Sequence, residues 1–267
     1  MNIAISNLAW AASYDSEMYE YLKLTGIHGI EIAPTRIFPN EPYKQINSAK
    51  GYAAMLWENY RLSVPSMQSI WYGKTEKLFG SQKEREALLD YSRSAVYFAE
   101  ALQCGNLVFG CPRNRVIPEG ITDQTAVDFF RSIGEFAQMH GAFFSIEANP
   151  SIYNTNYITT TGQAFELVKR INCQGIGVNL DLGTMIYNDE NEELLRGNVK
   201  YIKHVHISEP GLLPIQKRPL HKKIIDLLHE EKYGGYISIE MGCQADMDLV
   251  KSALYYIMEL IHDEDEY

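Results

Sequence analysis

Eight short apolar runs that alternate with segments of helical period predict an α/β fold for this chain, a single-domain (β/α)8 TIM barrel. The length of 267 residues agrees with one such barrel, whose usual size is roughly 250 residues. A doubly wound open sheet is the alternative, but it would normally place a glycine-rich loop after its first strand, and the segment SNLAWAAS has no glycine. Because no linker interrupts the pattern, we assign residues 1–262 to the barrel and residues 263–267 to an acidic C-terminal tail.

The predicted strands are short and are bounded by Gly, Pro, Asn or Lys. They are Ile3–Asn7, Gly29–Ala33, Ser63–Gln68, Leu107–Gly110, Phe143–Glu147, Gly175–Asp181, Ile202–Ile207 and Tyr236–Met241. Between them, segments such as Gln82–Cys104 and Thr122–His140 carry apolar residues every three or four positions. This is the pattern that the outer helices of a barrel require.

Composition and charge narrow the environment and the partners. No window has the roughly 18 uninterrupted apolar residues of a membrane span, and the segment MNIAISNLAW lacks the basic region of a signal peptide. The four cysteines show no paired spacing and are expected to be thiols, so we expect a cytoplasmic protein. A net charge of −10 argues against nucleic acid as a partner. The sequence leaves open whether the chain forms a homo-oligomer.

Four predicted strands carry a residue that can bind a metal ion at their last or second-to-last position. The segments FFSIEANP, GVNLDLGT, HVHISEP and YISIEMG carry Glu147, Asp181, His206 and Glu240. In a (β/α)8 barrel the active site lies where the strands end, and a charge there is costly unless a partner or a metal compensates it. The separations of 34, 25 and 34 residues place the four on consecutive strands, directed toward one point. Three carboxylates and one imidazole suit one divalent ion such as Mn²⁺, Mg²⁺, Co²⁺ or Zn²⁺.

Each of these residues has a simpler explanation when it is taken alone. An acidic residue at a strand end often caps a helix, and a lone histidine is more often a hydrogen-bonded core residue. Four such residues on consecutive strand ends are much harder to explain in that way. His204 competes with His206 for the ligand position because the two share one face of the strand. We prefer His206, which lies nearer the C-terminal end, and expect His204 one layer deeper.

The motifs IEANP, LDLGT, HVHIS and SIEMG resemble the strand-end motifs of the xylose-isomerase-like sugar isomerase/epimerase superfamily. The resemblance spans nearly the whole chain, and SNLAW and EIAPTR resemble segments of uncharacterised members linked to cell-surface polysaccharide synthesis. It implies a barrel in which a Glu, an Asp, a His and a Glu on strands five to eight hold the metal. It also implies a metal-dependent isomerase or epimerase that acts on a sugar or a sugar phosphate.

The chain departs from the ketose 3-epimerases of that superfamily at three positions. Those enzymes carry a second Glu, a His and an Arg where this chain has Tyr153, Thr184 and Leu212. A metal-dependent dehydratase of the inosose type and a non-catalytic sugar-binding barrel therefore stay open as alternatives. Apurinic-site endonucleases share the barrel and a related metal cluster, but their multi-metal site needs several more His and acidic ligands, and this chain has only seven histidines. They also need a basic surface that faces DNA, which the net charge of −10 does not favour.

The implied reaction needs groups that move a proton. A divalent ion that chelates a carbonyl and the adjacent hydroxyl acidifies the carbon-bound proton between them, because it stabilises the enediolate that forms. We expect Glu147 and Glu240 to be the catalytic residues, one removing the proton and the other returning it.

The loops predicted at the mouth of the barrel supply candidate substrate-binding residues. They are Trp10, Glu31, Gln68, Trp71, Arg113, Arg115 and His221. The aromatic segment SIWYGKTEKLFGS is a candidate lid over a sugar ring. The loops also carry cations, namely Arg36, Lys44, Lys74, Arg113, Arg115, Lys217 and Arg218. Since arginine binds phosphate and carboxylate groups in a bidentate manner, we expect a small-molecule carbohydrate with an anionic group.

Overall fold

Eight parallel strands form the inner wall of the molecule in the computed structural model, which describes residues 1–262. The strands are β1 (Asn2–Ser6), β2 (Gly29–Glu31), β3 (Ser66–Met67), β4 (Asn106–Phe109), β5 (Phe143–Glu147), β6 (Ile176–Asp181), β7 (Ile202–Ser208) and β8 (Tyr236–Glu240). Within the described residues the α-helices are α1 (Asp15–Leu24), α2 (Pro34–Ile37), α3 (Ile46–Tyr60), α4 (Gln82–Leu102), α5 (Gln124–Met139), α6 (Thr161–Ile171), α7 (Leu182–Tyr187), α8 (Pro219–Glu230) and α9 (Met247–His262). The predicted (β/α)8 barrel is thus confirmed.

The strands close into a barrel in sequence order. Ladders join β3 to β4 and so on to β8, and β8 pairs with β1, which pairs with β2. The remaining seam, between β2 and β3, is held by single bridges from Gly29 to Ser63 and from Ile32 to Met67. Because all strands are parallel, their C-terminal ends meet at one end of the barrel, where the candidate residues lie.

The third strand is shorter than the sequence predicts. The prediction ran from Ser63 to Gln68, whereas β3 contains only Ser66 and Met67. Pro65 interrupts the segment and has no backbone N–H to donate to a ladder. The hydrogen bonds on either side of it remain, since Ile30 N donates to Ser63 O over 3.0 Å and Gln68 N donates to Ile32 O over 2.9 Å.

The outer helices pack through their apolar faces, and side chains cap the N-termini of α4, α6 and α7. Ser81 and Glu84 form a reciprocal capping box at the start of α4, so that orphan N–H groups of the first turn are satisfied. The strand residues that face outward contact these helices and form the apolar core. Phe144 on β5, for example, packs against Phe109 of β4 and Phe130 of α5.

The inside of the barrel, in contrast, contains a chain of polar side chains. Ser66 donates to the carboxylate of Glu31 over 2.7 Å, Asn106 donates to Ser66 over 3.0 Å, and Ser145 donates to the amide oxygen of Asn106. These side chains are fully or almost fully buried. The barrel interior is therefore partly a hydrogen-bonded layer, whereas barrels of this class are usually filled by branched apolar residues.

Two further expectations concern the membrane and the tail. Among residues 1–262, none of the helices combines the length and the apolar character that a membrane crossing needs. The predicted acidic tail, residues 263–267, lies outside the described residues.

The packing of Phe144 gives a stability prediction. Phe144→Ala should lower the free energy of unfolding by roughly 3–5 kcal/mol, because it leaves a cavity between β5 and α5. Urea denaturation monitored by circular dichroism measures this loss. Leu24→Ala, at a side chain that is 76% exposed, is the control and should change stability by less than about 0.5 kcal/mol. Equal, small losses in both variants would show that this aromatic cluster does not support the barrel.

Candidate metal centre

The four residues expected to bind a metal meet at the C-terminal end of the barrel. One ligand atom from each of Glu147, Asp181, His206 and Glu240 can be chosen so that all four atoms lie within 4.8 Å of one another. The three carboxylate residues are 8% exposed, and His206 is completely buried behind them. The strand ends thus bring together the residues that the sequence singled out.

Neighbouring amides fix the direction of the Glu147 carboxylate. Asn179 Nδ2 donates to Glu147 Oε1, and Asn149 Nδ2 donates to Glu147 Oε2, each over 2.7 Å. Asn149 follows Glu147 by two residues, and Asn179 pairs with Glu147 across the β5–β6 ladder. Each oxygen keeps a further lone pair that can face a cation.

Asp181 has both of the roles that the sequence left open. Its Oδ1 accepts a hydrogen bond from Thr184 N over 2.6 Å and so caps α7, while Ser208 Oγ donates to its Oδ2. The residue is therefore a helix cap and a member of the cluster. The cap stabilises the direction of the carboxylate because α7 begins directly after β6.

His206 presents one ring nitrogen to the cluster and the other to a buried carboxylate. Its Nδ1 lies 3.1 Å from Glu147 Oε1 and 3.2 Å from Glu240 Oε2, and its Nε2 lies 2.9 Å from Glu31 Oε2. With Nε2 directed at Glu31, Nδ1 is the nitrogen that faces the cluster, and it also lies 3.2 Å from Asn179 Nδ2. A metal ion bound there would take the place of a proton on Nδ1. This carboxylate–histidine arrangement commonly fixes the tautomer of metal-binding histidines.

Glu31 connects this histidine to the polar layer inside the barrel. Its carboxylate accepts hydrogen bonds from Ser66, Gln68 and Ser238, and His204 Nε2 lies 3.3 Å from its Oε1. Burial alone would raise the pKa of Glu31, but His206 and His204 outweigh it and hold that pKa well below its usual range. Glu31 is thus an ionised group in the barrel interior that holds His206 in place.

The electrostatics of the cluster favour a positive charge at its centre. Burial raises the pKa of Asp181, and the carboxylates of Glu147 and Glu240 raise it further. Burial also raises the pKa of Glu240. Burial opposes a charge on His206, but Glu31, Glu240 and Glu147 outweigh it and raise its pKa well above the ordinary value. These shifts indicate negative charge that is incompletely compensated, and the donor set fits a divalent cation that would compensate it.

A small cavity, here called the inner cavity, opens above three of the four residues. It measures about 180 Å³, and Glu147, Asp181 and Glu240 form its floor. Tyr153 and Leu212, at two of the positions where ketose 3-epimerases carry charged groups, form part of its wall. Tyr153 Oη accepts a hydrogen bond from Gly211 N over 2.9 Å, so the loops after β5 and β7 are joined across the mouth.

Of the predicted substrate-binding residues, only some lie at the inner cavity. Gln68 lines this cavity, and Glu31 lies beneath it as described, whereas Trp10 and Arg113 do not line it. Trp10 is buried, with its indole N–H donated to Asp15 over 2.9 Å and Arg36 over its ring. Arg113 is exposed on the loop after β4.

Trp71, Arg115 and His221 are buried away from the inner cavity and lie under the outer helices and loops. The indole N–H of Trp71 donates to Ser92 of α4 over 2.8 Å, and its ring packs against Phe109. His221 lies 3.3 Å from the hydroxyl of Tyr256, and burial lowers its pKa to about 4. None of these three lies where it would contact a ligand in the inner cavity.

Arg115 instead supports the cluster of Glu147, Asp181, His206 and Glu240 from behind. Its guanidinium donates to the backbone carbonyl of Glu147 over 2.7 Å, to Asn149 Oδ1 over 3.0 Å and to the carbonyl of Ile158 over 3.1 Å. Both terminal nitrogens of the guanidinium are thus directed at acceptors of the protein and not at an anion in the inner cavity. Arg115 therefore positions the end of β5.

Sequence reasoning missed two groups of residues at the site. Asn149 and Asn179 orient the carboxylate of Glu147. Asn149 follows Glu147 by two residues and Asn179 precedes Asp181 by two, and this spacing could have revealed them because residues two apart on a strand share a face. Glu209 lines the inner cavity and forms a bidentate ion pair with Arg218, at distances of 2.5–3.0 Å. The carboxylate of Glu209 thus neutralises Arg218, which was predicted from the sequence to be one of the cations at the mouth of the barrel.

Comparisons with known proteins agree with this architecture. A family model described as "Xylose isomerase-like TIM barrel" matches residues 20–259. A search of curated protein sequences found no significant match. Among solved structures, D-psicose 3-epimerase from Clostridium cellulolyticum H10 is similar with a TM-score of 0.78 and 16% identity, covering 98% of this chain and 99% of that one.

Two further structures are similar over almost their whole length. They are 3-keto-D-glucoside 4-epimerase from E. coli (TM-score 0.76, 16% identity, 97% of this chain and 99% of that one) and the IOLI protein with a bound zinc atom (TM-score 0.74, 15% identity, 98% and 99%). At these identities the similarity supports the fold and does not transfer an activity.

The cluster predicts metal binding that depends on its members. Protein loaded with Mn²⁺ and desalted should retain about one ion per chain, and Asp181→Ala and His206→Ala should each lose it, because each removes a donor from a four-residue site. Elemental analysis gives the stoichiometry. Asp128→Ala, an exposed carboxylate on α5, is the control and should retain the ion. Stoichiometric metal in the two cluster variants would refute the site.

The role of Glu31 gives a second prediction. Glu31→Gln removes the negative charge that holds His206 but preserves the shape of the side chain, so the affinity for Mn²⁺ should fall roughly 10- to 100-fold. Competition with a fluorescent chelator measures the dissociation constant. Glu41→Gln, at an exposed side chain, should match the parent protein. An unchanged affinity in Glu31→Gln would mean that His206 is positioned by packing alone.

Proposed function

Since the chain belongs to the xylose isomerase-like TIM barrel family, we propose that it is a divalent-metal-dependent isomerase or epimerase of a carbohydrate. The observation that carries the proposal is the convergence of Glu147, Asp181, His206 and Glu240 at a cavity that Glu147 and Glu240 both line. A site of this kind is suited to moving a proton at a carbon next to a carbonyl group.

Glu147, Asp181, His206 and Glu240 are the residues that would hold the metal. When bound there, a divalent ion supplies a Lewis acid that stabilises the negative charge of an enediolate. Mn²⁺, Mg²⁺, Co²⁺ and Zn²⁺ all accept a set of three carboxylates and one imidazole. Asp181 and His206 are the better fixed pair, because a helix cap holds one and Glu31 holds the other.

Glu147 and Glu240 are the proposed proton carriers. They extend from β5 and β8, which are separated around the barrel by two strands, so they approach a substrate carbon from different directions. One carboxylate would remove the proton from the carbon between the carbonyl and the hydroxyl group, and the other would return a proton to the opposite face. That sequence inverts the configuration. Return of the proton to the former carbonyl carbon, with transfer of the hydroxyl proton to the former carbonyl oxygen, gives an isomerisation instead.

The surroundings of the two glutamates differ in a way that suits this division. Asn149 and Asn179 hold both oxygens of Glu147, while within the described residues Glu240 contacts His206 and receives no amide hydrogen bond. Glu147 therefore has a fixed direction and Glu240 has more freedom to rotate. Both line the inner cavity, where a small volume limits the access of water to the intermediate.

The substrate residues of the ketose 3-epimerases are not present at the corresponding positions. Tyr153 and Leu212 line the cavity there, and Thr184 is buried with its hydroxyl donated to Ala148 O over 2.8 Å. We therefore propose a substrate that differs from a simple free ketose.

Solvent exchange tests the proposed chemistry. The protein loaded with Mg²⁺ is incubated in heavy water with D-fructose, lactulose and D-fructose 6-phosphate, and proton NMR follows deuterium entering the carbon next to the carbonyl. Glu147→Gln and Glu240→Gln should each slow this exchange by a factor of about 10²–10⁴, the usual contribution of a general acid or base. Metal content is measured on the same samples, and Asp128→Ala, at an exposed side chain on α5, serves as the control.

The two readouts together decide the assignment. Lost exchange with retained metal supports the roles of Glu147 and Glu240. Lost metal in both variants, equal to that in Asp181→Ala, would contradict the acid and base assignment. Release of a dehydrated product in place of exchange would show a lyase.

A further inference from the structure

The inner cavity is small for a complete ligand. Its volume of about 180 Å³ is below the roughly 300–1,000 Å³ of typical small-molecule sites. The joined loops at Tyr153 and Gly211 limit it on the side of β5 to β7. A substrate bound to the metal therefore has little room to extend in that direction.

A larger cavity adjoins it on the opposite side of the mouth. This outer cavity measures about 820 Å³ and is formed by the loops after β1, β2 and β3 with part of α4. Leu8 and Ser69 line both cavities, so they form the boundary between the two. The two cavities therefore adjoin, and together they extend from Glu147, Asp181 and Glu240 to the loops after β2 and β3.

The boundary itself has an unusual backbone. Ser69 has a φ of +54°, a left-handed conformation that costs free energy for a residue with a Cβ atom. Tyr72 N donates to Ser69 O over 2.9 Å, which turns the chain and brings Tyr72 to the outer cavity. Such strain is most common at ligand sites, where surrounding contacts maintain it.

The walls of the outer cavity are partly aromatic, and the cations among them are paired with carboxylates. Tyr43, Tyr72 and Tyr91 line it, and Tyr72 is 70% exposed and available for contact. Its three cations each have a carboxylate partner, in the pairs Arg36–Asp15 (2.6 Å), Lys44–Glu41 (2.5 Å) and Lys74–Glu76 (3.2 Å). Aromatic faces with nearby hydrogen-bonding groups suit a sugar ring, whereas a phosphate group would have to compete with three carboxylates.

From this geometry we infer that the substrate is a glycoside or disaccharide. Its reacting sugar lies in the inner cavity, and its second sugar ring lies in the outer cavity against Tyr72. This inference rests on the proposed function, because it takes the inner cavity as the place of the reacting sugar. The sequence led us to expect an anionic group on the substrate, whereas the structure leads us to infer a second, neutral sugar ring.

Binding of non-reacting sugar alcohols tests the inference without turnover. Calorimetry on the Mg²⁺-loaded protein compares D-sorbitol, lactitol, which is sorbitol carrying a galactosyl ring, and D-sorbitol 6-phosphate. Lactitol should bind at least about tenfold more tightly than sorbitol, the ratio expected when one ring stacks on an aromatic side chain and makes a few polar contacts. Tyr72→Ala should remove most of that preference. Leu8→Trp, which narrows the boundary, should remove it as well.

Tyr255→Ala is the matched control, since this tyrosine is 59% exposed on α9 and lines neither cavity. It should keep the preference for lactitol. Equal affinities for lactitol and sorbitol, or a preference that survives both Tyr72→Ala and Leu8→Trp, would overturn the inference. A larger gain for sorbitol 6-phosphate that is lost in Lys74→Met would also overturn it, in favour of an anionic substrate.

The exchange experiment separates this inference from the proposed function. If lactitol is preferred but no sugar exchanges deuterium, the proposed reaction fails and the assignment of the outer cavity stands. If fructose and lactulose exchange deuterium equally well and the two alcohols bind equally, the reaction stands and the assignment of the outer cavity fails.

Discussion

Three carboxylates crowd into a nearly buried space at the mouth of the barrel, and their mutual repulsion is the constraint on which this site depends. Thr184 N, Ser208 and two asparagine amides donate to Asp181 and Glu147, yet burial and repulsion still raise the pKa of Asp181. Hydrogen bonds from neutral groups are thus insufficient. The proposed divalent cation at the centre would remove the conflict, and the free energy of the cluster and the affinity for the metal would then be two aspects of one interaction.

The barrel interior supports this arrangement from below. Glu31 is ionised although it is fully buried, because His206 and His204 lie beside it and three side chains donate hydrogen bonds to it. The polar chain from Glu31 through Ser66 and Asn106 to Ser145 connects β2 to β5. A barrel interior filled with apolar residues would place no carboxylate beside Nε2 of His206. The polar layer is therefore best explained by the site and not by stability.

The sequence predicted the fold and the convergence of the four strand-end residues because both follow from chain periodicity. In a closed parallel barrel, the C-terminal ends of all strands meet at one end of the barrel, so polar residues at those ends lie near one another. Glu147, Asp181, His206 and Glu240 do so. The loops obey no such rule. Trp71 and Arg115 have residue types that suit ligands, but each packs inward, and only the tertiary structure shows that Ser92 and the carbonyl of Glu147 are their partners. The pairing of Arg218 with Glu209 was equally hidden, because a charge in a sequence does not reveal its partner.

The central claim is that one divalent ion is held by these four side chains, with His206 binding through Nδ1. Anomalous diffraction from a crystal of the Mn²⁺-loaded protein, recorded at the manganese edge, tests it most directly. The account predicts one peak per chain, within roughly 2.0–2.6 Å of an oxygen of each of the three carboxylates and of Nδ1 of His206. A peak bound elsewhere, or a fully loaded protein whose ion contacts His206 through Nε2, would contradict it.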